Sequence, residues 1–290
     1  MQAVASHQTA RGQARRRKRY VRNVLLYAML VPLSVVFLAP LVWLISTSLK
    51  SDIQLGVWPP IWIPRPPVWS NYTKAWEAAP FGVYLKNTLI ITVLALLGQL
   101  VSSSAVAYAF ARMRFPGRDT LFILVLATMM LPGIVTLIPT YILFQRIGWL
   151  DSFKPLIVPA FFGAPFYIFL LRQFFKTIPM ELSEAAKIDG ASNLRIFLQL
   201  ILPLSRPAMA TVVIFSFMGH WNDFMGPLIY INSQEKFTLT LGLRAFVGLN
   251  NTQFQYLMAM SFLMTLPIIV VFFISQQYFV RGVVMSGLKG

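Results

Sequence analysis

Apolar residues in this chain fall in long unbroken runs, not in the alternation of a half-buried strand or the narrow stripe of a surface helix. Val24 to Ser46 carries no formal charge. At about 1.5 Å per residue it reaches roughly 34 Å, enough to cross a hydrocarbon core of roughly 30 Å. Further uncharged stretches are Asn87 to Phe110, Leu121 to Phe144, Pro155 to Leu171, Pro207 to Asn222 continuing past Asp223, and Phe254 to Val280. The pattern predicts an all-α polytopic membrane protein with six transmembrane helices. The fourth run is short and interrupted by Pro159 and Pro165, which spanning helices tolerate where neighbours pack against them. Leu131-Pro132-Gly133 in the third run predicts a kink. The first run exceeds the about 7 to 15 apolar residues of a signal peptide, so it reads as an uncleaved anchor.

Composition agrees with this picture: 57% of the residues are hydrophobic and 12% charged, where a soluble domain carries roughly 25% charged residues. Once the spans and short loops are assigned, residues 24–290 form one membrane-embedded domain, preceded by a basic arm, residues 1–23, expected to be disordered. A net charge of +16 could suggest nucleic acid, but the basic residues lie sparsely between apolar runs and the hallmarks of a nucleic-acid reader are absent. Their distribution is informative about topology. Seventeen of the 25 Lys and Arg fall on the side of the N-terminus and eight on the other, so the positive-inside rule places both termini in the cytoplasm. The loop from Lys50 to Tyr84 then lies outside, with Trp58, Trp62, Trp69 and Trp76 and with Pro59, Pro60, Pro64, Pro66 and Pro67. These tryptophans suit interfacial anchors, with a ligand or partner contact as the other reading.

Candidate chemistry is sparse. There is no cysteine, which excludes thiolate metal sites, disulfides and a Cys nucleophile. No GxxxxGK[ST], HExxH or GxSxG occurs, and the two histidines are His7 and His220. An enzyme is therefore not expected, nor a bound cofactor, and any ATP must be held by another subunit. Coupling to an ion gradient usually needs ionisable groups in the membrane interior. Here the one such patch is His220-Trp221-Asn222-Asp223, with Asp223 roughly 24 Å along the fifth span and far from the midplane. A self-contained secondary transporter or channel using that patch is the alternative function.

The loop between the fourth and fifth runs, about residues 176–206, carries its own helical pattern. Glu184 to Asp189 suits a short helix, Gly190 a hinge that tolerates positive φ, and Ser192 a cap for a second helix. In that helix Leu194, Phe197, Leu198 and Ile201 recur at i, i+3, i+4 and i+7, a stripe that would lie along the membrane face and hold the first helix out as a peg. The order Glu184-Ala185-Ala186, three residues, Gly190, nine residues, Leu200-Ile201-Leu202-Pro203 resembles the EAA loop of ABC-importer permease subunits, with Leu200 where Ile is usual. Ala109-Phe110-Ala111-Arg112, Phe115-Pro116-Gly117-Arg118, Ile188-Asp189-Gly190-Ala191, Trp221-Asn222-Asp223-Phe224 and Tyr278-Phe279-Val280-Arg281-Gly282 resemble the sugar-importing branch, in particular the smaller permease of maltose-type and glycerol-phosphate-type systems.

The resemblance implies a type I ABC-importer fold in a prokaryotic inner membrane. It also implies a second homologous permease, two copies of an ABC ATPase and an extracytoplasmic solute-binding protein. The solute would be a sugar, with glycerol-phosphate or another polar solute as the alternative. The ATPase-coupling residues would be Glu184, Ala185, Ala186, Asp189, Gly190, Leu202 and Pro203. Glu184 either seats the helix, meets basic ATPase residues or is a solvated charge. For the translocation path the candidates are Gln99, Trp221, Asn222 and Asp223, with Trp221 stacking on a sugar face. Ser102, Ser103 and Ser104 suit helix packing better than a path.

Overall fold

Apolar runs of this length satisfy their backbone only as helices, and no strand occurs among the described residues, 2–248 and 252–286 of a computed structural model. Four helices are long and apolar enough to cross a membrane: Arg22–Ser48, Phe81–Arg112, Lys154–Thr177 and Phe254–Gln276. Two bent pairs, Arg118–Met130 with Gly133–Arg146 and Asn193–Leu204 with Arg206–Trp221, bring the candidates to six. They cover the six predicted runs.

The chain divides into two units, Met1–Thr73 with Gln253–Phe262, and Lys74–Thr252 with Leu263–Gly290. In the first, one helix runs from Gln2 to Ser48. Its first part, residues 2–23, is rich in Ala, Arg and Gln, all good helix formers, and has no proline to stop the helix. Beyond Ser48 the Pro-rich loop folds back on the helix end. Ser46 Oγ donates to Trp62 O at 2.6 Å, and Asn71 Nδ2 donates to Ser48 O and Lys50 O at 2.9 and 2.8 Å. Trp62 meets Trp43 edge-on at 5.1 Å, while the buried Lys50 ammonium sits 3.8 Å above the Trp43 ring. All four loop tryptophans keep exposed surface: Trp58 and Trp69 most, Trp62 about half despite its contact with Trp43, and Trp76 least.

In the second unit prolines decide where spans break. The third bends by 98° at Leu131-Pro132, where a 3-10 turn over Thr128–Met130 gives way to an extended Leu131, the backbone a residue before proline prefers. The fourth is assembled from Lys154–Ile157, a 3-10 stretch Val158–Phe162, a left-handed Gly163 and Pro165–Thr177. The fifth was expected to continue past Asp223. It stops at Trp221, and the chain resumes as the short helix Met225–Tyr230. Its 16 residues reach about 24 Å, less than a full crossing.

At the ends of these spans nearest the loop lies a buried apolar cluster. Tyr108 and Phe110 of the second span meet Phe122 of the third, Leu171 and Phe175 of the fourth, Ile196, Phe197 and Ile201 of the loop, and Val212 of the fifth. The loop therefore stands on a packed base.

Candidate coupling loop and translocation path

The peg predicted from the loop is the helix Met180–Ile188. It ends in a pattern that glycine makes inexpensive: the Ala191 amide donates to Ala186 O at 2.9 Å and the Gly190 amide to Lys187 O at 3.0 Å, with Gly190 at φ +80. These are the two bonds of a Schellman motif, which needs a left-handed residue just past the helix. Ser192 then caps the next helix, its hydroxyl accepting from the Arg195 amide at 3.3 Å. The acidic residue in the peg's first turn is Glu181, so the helix-starting role considered for Glu184 falls to Glu181. Glu184, Ala185 and Asp189 are exposed, Ala186 is half-buried against the apolar base, and Ile188 at the tip is 87% exposed.

The second loop helix differs from its predicted stripe. Phe197 and Ile201 are buried as expected, but Leu194 and Leu198 are exposed at 66% and 51%, and Ile196 takes their place in the core. The cause is a π-type turn over Phe197–Ile201, closed by the Leu202 amide on Phe197 O. Pro203 has no amide to bond one turn back, so the regular ladder cannot continue, and the wider turn rotates the buried face. Leu202 is half-buried and Pro203 exposed beside the bend into the fifth span.

Two arginines to which the sequence reading gave no structural role, Arg112 and Arg172, tie this region together. Arg112, the last residue of the second span and buried, donates to Phe175 O at 2.6 Å, to Ile178 O, and to Pro179 O at 3.4 Å, and lies 3.1 Å from Met180 Sδ. Arg172, on the fourth span, donates in the other direction to Phe110 O at 3.4 Å and stacks 3.8 Å over the Phe122 ring. Each cation thus sits at the carbonyl end of the other's helix, where the dipole is negative. The only signal in the sequence was two arginines flanking apolar runs, and this does not separate a buried guanidinium from a solvated one.

The candidate path residues separate. Gln99 is buried and donates to Ser103 Oγ at 3.3 Å. Ser103 Oγ in turn accepts from the Ala164 amide at 3.2 Å, and Ser102 Oγ donates to Ala160 O at 3.1 Å. The serines therefore serve the packing of the second span against the broken fourth, as preferred. Trp221 is corrected: its ring is 1% exposed and stacked on Phe217 at 5.3 Å, and its Nε1–H donates to Met264 O at 3.0 Å. A ring enclosed in this way presents no face to a sugar. Asn222 is exposed and bonds back to Met218 O, while Asp223 Oδ1 accepts from the Gly226 amide at 3.0 Å, capping Met225–Tyr230.

On the opposite side of the spans Asp151 holds two loops together. It adopts φ 52 and accepts from the amides of Asn232 and Ser233, the Ser233 hydroxyl and the Lys236 ammonium, the last at 2.8 Å. Lys236 and Ser233 hold its carboxyl well below the usual carboxylate range.

This geometry, apolar and broken spans with a Schellman-capped loop helix, has counterparts. The chain belongs to the family described as binding-protein-dependent transport system inner membrane component, which it matches over residues 84–285. It is 33% identical over 264 residues to the diacetylchitobiose uptake system permease protein NgcG of Streptomyces coelicolor, covering 90% of this chain and 87% of that protein. It is likewise 33% identical over 272 residues to the sn-glycerol-3-phosphate transport system permease protein UgpE of Yersinia enterocolitica, covering 91% and 96%. In fold it is similar to a chain of a bacterial ABC transporter that imports the acidic polysaccharide alginate, with TM-score 0.78, 23% identity and coverage of 89% and 96%. It is thus an inner-membrane permease component and not an enzyme, ATP hydrolysis belonging to a separate subunit. The ion-coupled transporter or channel reading gives way to this one.

Proposed function

We propose that this chain forms half of the translocation path of an ATP-driven importer for a sugar or related polar solute, and that Met180–Ile188 docks in the ATPase. The observation that carries the reading is a short, Schellman-capped helix standing on a buried base and offering a bare apolar tip, Ile188. Ile188 does not stand alone, since Leu194 and Leu198 of the same loop are exposed as well, and a loop that bares several large apolar side chains suits a partner surface. Ala185 and Ala186 keep the approach close, Gly190 fixes the turn, Asp189 ends the helix, and Leu202-Pro203 sets the bend into the fifth span. The complex comprises this chain, a second permease, two ATPases and an extracytoplasmic binding protein. When the ATPases close, the peg is carried with them and the spans attached to it change which side they open to.

The names of the relatives favour a sugar or glycerol-phosphate, and Gln99, Asn222 and Asp223 are the polar groups left as candidates for the path, without Trp221. The test is co-expression of the permeases, ATPase and binding protein, followed by purification and reconstitution. Ala186→Arg should abolish stimulation of ATP hydrolysis by the loaded binding protein and should stop uptake, while the binding protein keeps its affinity for solute. Uptake should need ATP and withstand an uncoupler. Hydrolysis by this chain alone, or normal maximal uptake in Ala186→Arg, would overturn the reading.

A further inference from the structure

The peg is not packed broadly against the second span. A cleft of about 410 Å³ lies between them, with Tyr108, Met113 and Arg114 on one wall and Ser183, Glu184 and Lys187 on the other. Arg112 crosses at this cleft. Its carbonyl partners, Phe175, Ile178 and Pro179, straddle the joint between the fourth span, which ends at Thr177, and the peg, which begins at Met180. Among the described residues no carboxylate pairs with this buried cation. Its charge is met by the backbone carbonyls of this joint and by Met180 Sδ, so the guanidinium is committed to the joint.

We infer that Arg112 is a positioning residue for coupling: it locks the second span to the fourth-span–peg joint, so that a push on the peg moves both spans as one body. The chemistry requires an arginine. Nη2 donates to Phe175 O and Ile178 O while Nη1 donates to Pro179 O, a spread of acceptors that a planar, rigid fork can span and a single ammonium cannot. Arg172 reinforces the joint from the other side through Phe110 O and the Phe122 ring, but its backbone contact is single. Without Arg112, the cleft leaves the peg free to tilt while the second span stays behind. The inference rests on the coupling role proposed above for the loop.

The test uses the reconstituted complex, to which this chain contributes no cysteine, with any cysteines of the partner subunits replaced. Spin labels at Val101→Cys on the second span and Leu182→Cys on the peg, both exposed positions, report the distance between them in the nucleotide-free and ATP-closed states. In the parent the distance should be the same in both states. In Arg112→Ala it should broaden and change on closure, and ATP hydrolysis should lose its stimulation by the binding protein by roughly tenfold. Arg112→Lys should behave like Arg112→Ala, and added guanidinium should restore the Arg112→Ala complex. An unchanged distance and normal stimulation in Arg112→Ala would overturn the inference. So would loss of the assembled complex in both variants without rescue by guanidinium, which would leave Arg112 a folding role only. Ala186→Arg serves as the control: if it too leaves stimulation intact, the coupling role of the loop fails, whereas if it alone uncouples, only the role of Arg112 fails.

Discussion

Single residues carry this fold's information unevenly, and Gly190 shows why. A Cβ built there meets nothing within 4 Å, yet the backbone stands at φ +80. Any cost of substitution is therefore conformational, not steric, and should follow each residue's tolerance of the left-handed region. Gly190→Asn should keep most of the binding-protein-stimulated ATP hydrolysis. Gly190→Val should lose it, at about 1–3 kcal/mol of local strain. If Asn and Val proved equally harmful, the turn would be needed for something other than its φ. Asp151 gives a prediction in pH. Its folded carboxyl titrates lower than the unfolded one, so it adds stability above the unfolded value of about 3.9 and loses it as pH falls through the folded value. Thermal unfolding should therefore separate wild type from Asp151→Asn at neutral pH, with the gap narrowing only below about pH 4. A gap that closed between pH 6 and 8 would point to another group. The glycine was legible in the sequence because only glycine suits such a turn. Asp151 was not, since its partners Ser233 and Lys236 stand about eighty positions away in the chain.

Elements were legible where hydrophobic length alone decides them, and less so where the ladder of hydrogen bonds is interrupted. The six apolar runs and the capped peg follow from run length, Ser192 and Gly190. The 98° bend at Pro132 and the π turn before Pro203 each begin at a proline that the sequence displays, but proline announces only a missing amide. How far the helix then swings is settled by what the next turn can pack against, and so Phe197 and Ile201 of the predicted stripe are buried while Leu194 and Leu198 are not. Two glycines at contacts of the second span offer a comparison, Gly98 on the span itself and Gly242 on the short helix Leu239–Gly242 packed against it. A Cβ on Gly242 would stand 2.5 Å from a ring carbon of Tyr84, itself 1% exposed and wedged beside Phe81 and Phe237. A Cβ on Gly98 would come equally near Phe161, at 2.5 Å, but that ring is 52% exposed and can turn away. Gly242→Ala should accordingly destabilise by about 1–3 kcal/mol and Gly98→Ala by clearly less. Thermal unfolding of the purified complex decides between them, and the reverse order would mean that Phe161 is held by a neighbour in the assembly.

For the molecule as a whole, the spans fix how often the chain crosses the membrane but not which way it faces. Orientation rests on charge. Seventeen of the 25 basic residues fall on the side of the N-terminus and the peg, and eight on the side of Asp151 and Lys236, a bias that the positive-inside rule reads as a cytoplasmic peg. The mechanism requires the same direction independently, because an ATPase that draws on cellular ATP can reach the peg only from the cytoplasm. Two exposed positions report it. Arg195 lies on the loop helix beyond Gly190, and Gln234 lies in the loop that Asp151 organises. With no native cysteine, Gln234→Cys in intact cells should react with a membrane-impermeant thiol reagent. Arg195→Cys should react only after the membrane is opened. Removing one basic residue from a bias this large should not invert the chain, so the label itself is a fair reporter. If Arg195→Cys were labelled from outside and Gln234→Cys protected, the peg would face away from the ATP. The docking role of Ile188, the strut role of Arg112 and the direction of transport would then all have to be given up together.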